Sequence, residues 1–128
     1  MRLLLDTHIL IWHLEQNPKR KQVHSELIEN TDNEVIVSIA SLWEMSIKVG
    51  LGKLNVPLGM SFIQLEQHLK SLDFQIFEMN TKYLDVLMPL PLHHRDPFDR
   101  MLIAQAISEN ATLVSDDGVF PVYGVPLV

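Results

Sequence analysis

RDPFDRMLIAQAISENATLVSDD, Arg95 to Asp117, is the stretch in which a helix and a strand follow each other with acids at both ends. Asp96 before Pro97 is a helix start: an N-cap carboxylate accepts otherwise unpaired amide hydrogens, and proline at the first helical position forfeits no hydrogen bond. An apolar run follows, and Thr112 to Val114 reads as a short strand ending in Ser115, Asp116 and Asp117. Leu3 to Leu5 has the same form, a continuous apolar run of the kind a central parallel strand carries, and it ends at Asp6.

The chain between these two points alternates strand and helix signals. A helix begins near Ile9, and Glu15 to Pro18 is a turn. Lys19 to Asn30 is amphipathic, with Val23, Leu27 and Ile28 expected inward. Glu34 to Val37 is a second strand, and Ser38 or Ser41 caps a helix carrying Trp43, Glu44, Ile47 and Lys48 that Gly50 and Gly52 stop. After Pro57 and Gly59 comes a helix through Phe62, Leu65, Leu69 and Leu72, then a strand at Gln75 to Phe77. Thr81 to Leu87 is a short helix opened by Asn80 or Thr81, and Met88 to Leu92, with its two prolines, is loop. Such alternation predicts an α/β fold, and the absence of repeats, linkers or low-complexity segments makes residues 1–128 a single domain.

Composition bounds the function. With 128 residues, 47% hydrophobic and 20% charged, the chain can build one sizeable core. No cysteine is present, which excludes disulfides and thiolate metal sites and accords with a reducing cytosol. MRLLLDTHILIWHLE is interrupted by Asp6 and His8, so neither a signal peptide nor a membrane span is expected, and a cytoplasmic location follows as the expectation. A net charge of -6 argues against a general polyanion binder. Basic residues are local instead: Lys19 to Lys21, read as a solvated helix face, Lys48 and Lys53, and Arg95 and Arg100 beside Asp96 and Asp99.

For Asp96 the capping role is sufficient. Asp99 differs, because on a 3.6-residue period it shares a stripe with Ile103 and Ala106 and faces the packed side, where an ionised carboxylate needs a partner. Asp6 and one of Asp116 or Asp117 lie beyond the carboxyl ends of strands, where open α/β sheets bind ligands. Glu44 comes from the helix after the second strand. On its own it would pair with Lys48 four residues on, worth only about 0.3–0.5 kcal/mol. Carboxylates gathered within ~4 Å repel by roughly 4 kcal/mol per pair at an effective dielectric near 20, so a cluster implies cations. All-oxygen ligation suits Mg²⁺ or Mn²⁺. The matching chemistry is phosphoryl transfer or phosphodiester hydrolysis by a water that the cation makes nucleophilic.

LLLDTHILIW, SLWEMSIKVGLGKL, LPLHHRDPFDRMLIAQA, TLVSDD and the YGVPLV tail occur in an order and spacing that resembles PIN-domain proteins. More narrowly, the chain resembles the VapC-type toxins of bacterial toxin-antitoxin pairs. The resemblance covers essentially the whole chain. It implies a central parallel sheet flanked by helices, Mg²⁺- or Mn²⁺-dependent endoribonuclease activity, frequent homodimerisation and neutralisation by a cognate antitoxin. By the same resemblance Asp6, Glu44, Asp99 and Asp117 are the metal-holding catalytic acids, with Asp116 in place of Asp117 if the turn shifts by one residue. Thr7 and Ser115 fall at small hydroxyl positions that support the site, Asp96 has a supporting role beside its cap, and Arg95 or Arg100 would contact the substrate phosphate. The implied products carry a 5′-phosphate and a 3′-hydroxyl.

Other readings are weaker. Of six histidines, His8 and His13 are five apart and His93 and His94 are adjacent, neither being the spacing of two zinc ligands on one helix face, so most read as surface groups or supports of the site. A haloacid-dehalogenase-type phosphatase would carry a second Asp two positions after the first, where this chain has His8. A non-catalytic module that binds RNA or an antitoxin would use Trp12, Trp43, Tyr83 and Met60 as a partner surface, but core packing explains such residues at helical spacing more often. The RNA target is not written in any spacing.

Overall fold

The computed structural model describes residues 1–128. Strands β1 (Arg2–Leu5), β2 (Glu34–Ser38), β3 (Gln75–Phe77) and β4 (Thr112–Val114) form one sheet in the order β3-β2-β1-β4, and every pairing is parallel. Parallel neighbours require crossovers, and these are the helices α1 (Thr7–Glu15), α2 (Gln22–Glu29), α3 (Ile39–Gly50), α4 (Phe62–Ser71), α5 (Thr81–Leu87) and α6 (Pro97–Glu109). The expected α/β architecture, a central parallel sheet flanked by helices, is thus present.

Alternation along the strands explains why both faces are covered. Leu3, Leu5, Val35 and Val37 point into a core with Ile9, Leu10, Met45, Leu65 and Leu69. Leu4 and Ile36, one position out of phase, enter a second core with Leu102, Ile103, Ala106, Leu113 and Phe120. A strand segment buried on both sides must be apolar at every position, which is why β1 runs Leu3-Leu4-Leu5 after the half-buried Arg2. Beyond β4, Leu113 exchanges backbone hydrogen bonds with Pro126 and Val128, so the tail covers that sheet edge.

Helix starts follow local chemistry. The Asp96 side chain accepts from the amides of Phe98 and Asp99, with Pro97 in the first turn. Ser38, not Ser41, caps α3, and Asn80 caps α5. Ser61 and Gln64 form a reciprocal capping box on α4. Replacing Ser61 by Ala is expected to cost about 0.5–2 kcal/mol in urea denaturation. A loss below a few tenths would show that the box contributes nothing.

Several expectations need correction. α1 starts at Thr7 rather than near Ile9, because Asp6 accepts from the Thr7 amide and serves as its N-cap. α2 is shorter than Lys19 to Asn30, and its inward position is taken by His24, 4% exposed, while Val23 is 54% exposed. Ile28 is buried and Leu27 packs against the core as expected, so Val23 alone is displaced, its place taken by His24 on the same face as Ile28. Trp43 is 58% exposed rather than core, whereas Tyr83 is buried as core packing predicts.

Candidate active site

Three features of the fold bring the acids to one end of the sheet. Asp6 directly follows β1, and Ser115 to Asp117 follow its neighbour β4. Glu44 lies on α3 after β2, and Asp99 in the first turn of α6. Register between β1 and β4 is continued past the strands by the Asp6 amide, which donates to the Val114 carbonyl at 3.0 Å.

Hydroxyl groups then fix the carboxylates. Ser115 Oγ donates to Asp6 Oδ2 at 2.8 Å, and the Thr7 amide donates to Oδ1 at 2.7 Å. Thr7 Oγ1 donates to Glu44 Oε1 at 2.7 Å, while Lys48 Nζ stands 3.4 Å from Glu44 Oε2. The pairing of Glu44 with Lys48 is therefore present together with a second, longer-range partner. The Asp117 amide donates to Ser115 Oγ at 2.9 Å, and Asp117 Oδ1 accepts from the Val119 amide at 3.0 Å. Thr7 and Ser115 thus tie Asp6, Glu44 and the Asp117 turn into one hydrogen-bonded unit.

Electrostatics shows which acids share this space. Burial, then the charges of Asp96, Asp6, Glu44 and Asp117, push the Asp99 carboxyl up to about 7. Burial also raises Asp6, against hydrogen bonds from Ser115 and Thr7 that favour its ionised form. Asp116 is absent from these influences. Its carboxylate turns to α2, where Lys21 Nζ lies 2.7 Å and His24 Nδ1 3.9 Å from Oδ1. The two neighbours thus differ: the charge of Asp117 reaches Asp99, and Asp116 pairs with Lys21 and His24 at the start of α2. Lys21, grouped with a solvated basic face in the sequence, is one member of that pairing.

The two arginines also separate. Arg95 is exposed beside the site. Arg100 is engaged within the chain. Its guanidinium donates to the carbonyls of Pro91 and Leu90 at 2.8 and 3.1 Å and to the Tyr123 hydroxyl at 3.2 Å, holding the Met88 to Leu92 loop. His94 and Tyr123 were not singled out by sequence as site residues, yet His94 Nε2 lies 3.3 Å from Asp99 Oδ2 and His94 Nδ1 lies 2.7 Å from the Tyr123 hydroxyl. Nothing local signals that contact, since the two residues are 29 positions apart.

No three His, Asp or Glu side chains close on a common point tightly enough to hold a metal ion as they stand. Like charges stand apart without a cation between them, and Mg²⁺ keeps several of its own waters instead of requiring an all-protein cage. Asp6 and Asp99, the two acids whose carboxyls burial raises, are oxygen donors of the kind a hard divalent cation takes. A cavity of about 260 Å³ lined by Asp6, His8, Ile9, Trp12, Asp116 and Asp117 opens beside them.

A parallel α/β sheet with an acidic site beyond its carboxyl ends defines the class, and the family can now be given. The model of the PIN domain matches residues 3–125, and the chain belongs to that family. Among solved structures, VapBC2 from Rickettsia felis, bound to a DNA fragment from their promoter, is similar at 21% identity and a TM-score of 0.72, over 100% of this chain and 98% of that one. VapBC-1 from nontypeable Haemophilus influenzae is similar at 18% identity and a TM-score of 0.73, over 100% of this chain and 97% of that one. A toxin-antitoxin complex from Klebsiella pneumoniae is similar at 17% identity and a TM-score of 0.62, over 98% and 95%. At these identities the likeness is one of fold. No curated protein sequence matches the chain.

Proposed function

We propose that this chain is a metal-dependent endoribonuclease, the toxin member of a toxin-antitoxin pair, hydrolysing RNA phosphodiester bonds at the acidic cluster. The observation that carries the reading is the Asp99 carboxyl at about 7, raised by burial and by four neighbouring carboxylates, Asp6, Glu44 and Asp117 among them. A protein keeps such a costly arrangement where a bound cation offsets it. Membership of the PIN domain family and the resemblance to VapC-type toxins support the nuclease and toxin parts.

In this reading Asp6, Glu44, Asp99 and Asp117 hold Mg²⁺ or Mn²⁺. Bound there, the cation offsets carboxylate charge, polarises a phosphoryl oxygen and makes water nucleophilic near neutral pH. Ser115 and Thr7 keep Asp6 and Glu44 in orientation, Asp96 caps the helix that presents Asp99, and Arg95 is free to meet the phosphate. Water attacks phosphorus in line, the bond to the 3′ oxygen breaks, and that oxygen takes up a proton, leaving a 5′-phosphate and a 3′-hydroxyl. No side-chain nucleophile takes part.

The partners are an RNA substrate, a cognate antitoxin protein and a second copy of the chain, with the cytoplasm as the place of action. An uncovered apolar face at Trp43, Ile47 and Ile63 supports the protein-partner part. No helix is long and apolar enough to cross a membrane.

The test is cleavage of mixed cellular RNA by antitoxin-free protein with Mg²⁺ or Mn²⁺, with chelator, and by Asp6→Ala. Discrete cuts that require both metal and Asp6 are expected, and fragment ends bearing 5′-phosphate would establish the chemistry. Cuts indifferent to chelator and to Asp6→Ala, or no cuts at all, would overturn it.

A further inference from the structure

The Tyr123 hydroxyl has three polar neighbours, and their chemistry determines where its proton goes. Arg100 Nη1, at 3.2 Å, is always a donor, and so is the backbone amide of His94 at 3.3 Å. Both oxygen lone pairs are thereby used as acceptors. The phenolic proton is left to point at the third neighbour, His94 Nδ1, at 2.7 Å, which must then be the bare nitrogen of the ring. A neutral imidazole with a bare Nδ1 carries its hydrogen on Nε2, and Nε2 is the atom 3.3 Å from Asp99 Oδ2.

We infer that Tyr123 and His94 are positioning residues for Asp99: the Tyr123 hydroxyl fixes His94 as its Nε2–H tautomer, and this ring donates to Asp99 Oδ2, presenting the other carboxylate oxygen for a divalent cation. The inference rests on the nuclease reading of the acidic cluster and adds to it a relay from a different part of the chain. Tyr123 belongs to a short 3₁₀ turn, Phe120–Tyr123, far from α6 in sequence. The relay is braced, since His93 stacks edge-on against the Tyr123 ring at 4.8 Å and the Arg100 guanidinium is pinned to Leu90 and Pro91. Hydrogen-bond partners of metal-binding carboxylates and imidazoles hold the ligand's orientation, and losing one typically costs ~10–100-fold in metal affinity.

Two measurements on the full chain test this. In long-range ¹H–¹⁵N spectra of the Mg²⁺-loaded protein at neutral pH, His94, assigned by comparison with His94→Gln, is expected as the Nε2–H tautomer. In Tyr123→Phe that signature is expected to be lost. By calorimetric titration with Mn²⁺ alone, Tyr123→Phe is expected to bind about 10-fold more weakly than wild type, while the thermal midpoint of the metal-free protein stays within a few degrees. His94→Gln, whose amide can still donate to Asp99, is expected to bind more tightly than His94→Leu. A merely structural role would lower stability and affinity together and would give Gln no advantage over Leu. Wild-type Mn²⁺ affinity in Tyr123→Phe, or His94 as the Nδ1–H tautomer, would overturn the relay and leave the nuclease reading standing. A wild-type protein that binds no Mn²⁺ would overturn both.

Discussion

Asp99→Asn is expected to abolish metal-dependent cleavage and, in the same protein freed of metal, to raise the unfolding temperature at pH 8. The loss of activity should exceed about 100-fold, since even a change to a ligand's hydrogen-bond partner costs ~10–100-fold in affinity or activity. The gain in stability follows from proton linkage. Asp99 ordinarily ionises at 3.8, and in the folded protein at about 7, chiefly because it is buried and then because Asp96, Asp6, Glu44 and Asp117 repel its charge. Below pH ~4 both folded and unfolded chains carry the proton, and Asp99 contributes no pH dependence. Between that point and pH ~7 the unfolded chain releases a proton that the folded one keeps, so stability falls as pH rises. Above it the full penalty is present, on the order of 4 kcal/mol at most.

Asparagine cannot ionise and removes that penalty. At roughly 3–4 °C per kcal/mol for a domain of this size, the midpoint rises by several degrees, at most about 12–16 °C, at pH 8, and the difference closes toward pH 4. Calorimetric scans in chelator across that range decide it. A variant with an unchanged midpoint at pH 8 would mean that neither burial nor the neighbouring acids penalise the Asp99 charge, and the argument for a cation would lose its basis. Adding Mg²⁺ is expected to reverse the order, stabilising wild type and not the variant.

Phe120→Ala is expected to cost about 3–5 kcal/mol. The side chain is fully buried among Leu4, Ile36, Leu102, Ile103 and Leu113, so its removal opens a cavity between the sheet and α6. The ring also anchors the turn that carries Tyr123. Urea denaturation in chelator measures the loss, and Mn²⁺ titration below the transition should show weakened binding as well. A cost under about 1 kcal/mol would show that this segment collapses onto the core without the ring.

Much of the fold was readable because its signals are local. The Leu3 to Leu5 run of β1, Asp96 with Pro97, and the Gln75 to Phe77 strand each specify structure through neighbours in sequence. Residues with two local roles were harder. Asp6 was read as a site acid, which hid its capping of α1 and set the helix start too late. Val23 and His24 are adjacent on a helix whose periodicity allows either inside, and only packing against other elements decides. Asp6, Asp99 and one of Asp116 or Asp117 follow from strand ends and helix period, while the role of Glu44 and the choice of Asp117 rest on family resemblance; the charges of Asp6, Glu44 and Asp117 all act on Asp99. Lys21, His94, Tyr123 and the diversion of Arg100 were not legible, because each contact joins segments whose proximity exists only after folding.

The pairing of Leu3 with Thr112, and of Leu5 with Val114, joins the two ends of the described chain through a parallel ladder. Closing a loop that long is slow, and contacts so far apart in sequence form only after much of the chain has collapsed. Asp6 and Ser115 sit just beyond that ladder, so their hydrogen bond has no local precursor. A slip of one residue in the pairing would turn the side chains that follow to opposite faces. Partly folded chains therefore leave these acids apart, and the cluster that the proposed hydrolysis requires forms only when the two ends of the chain meet.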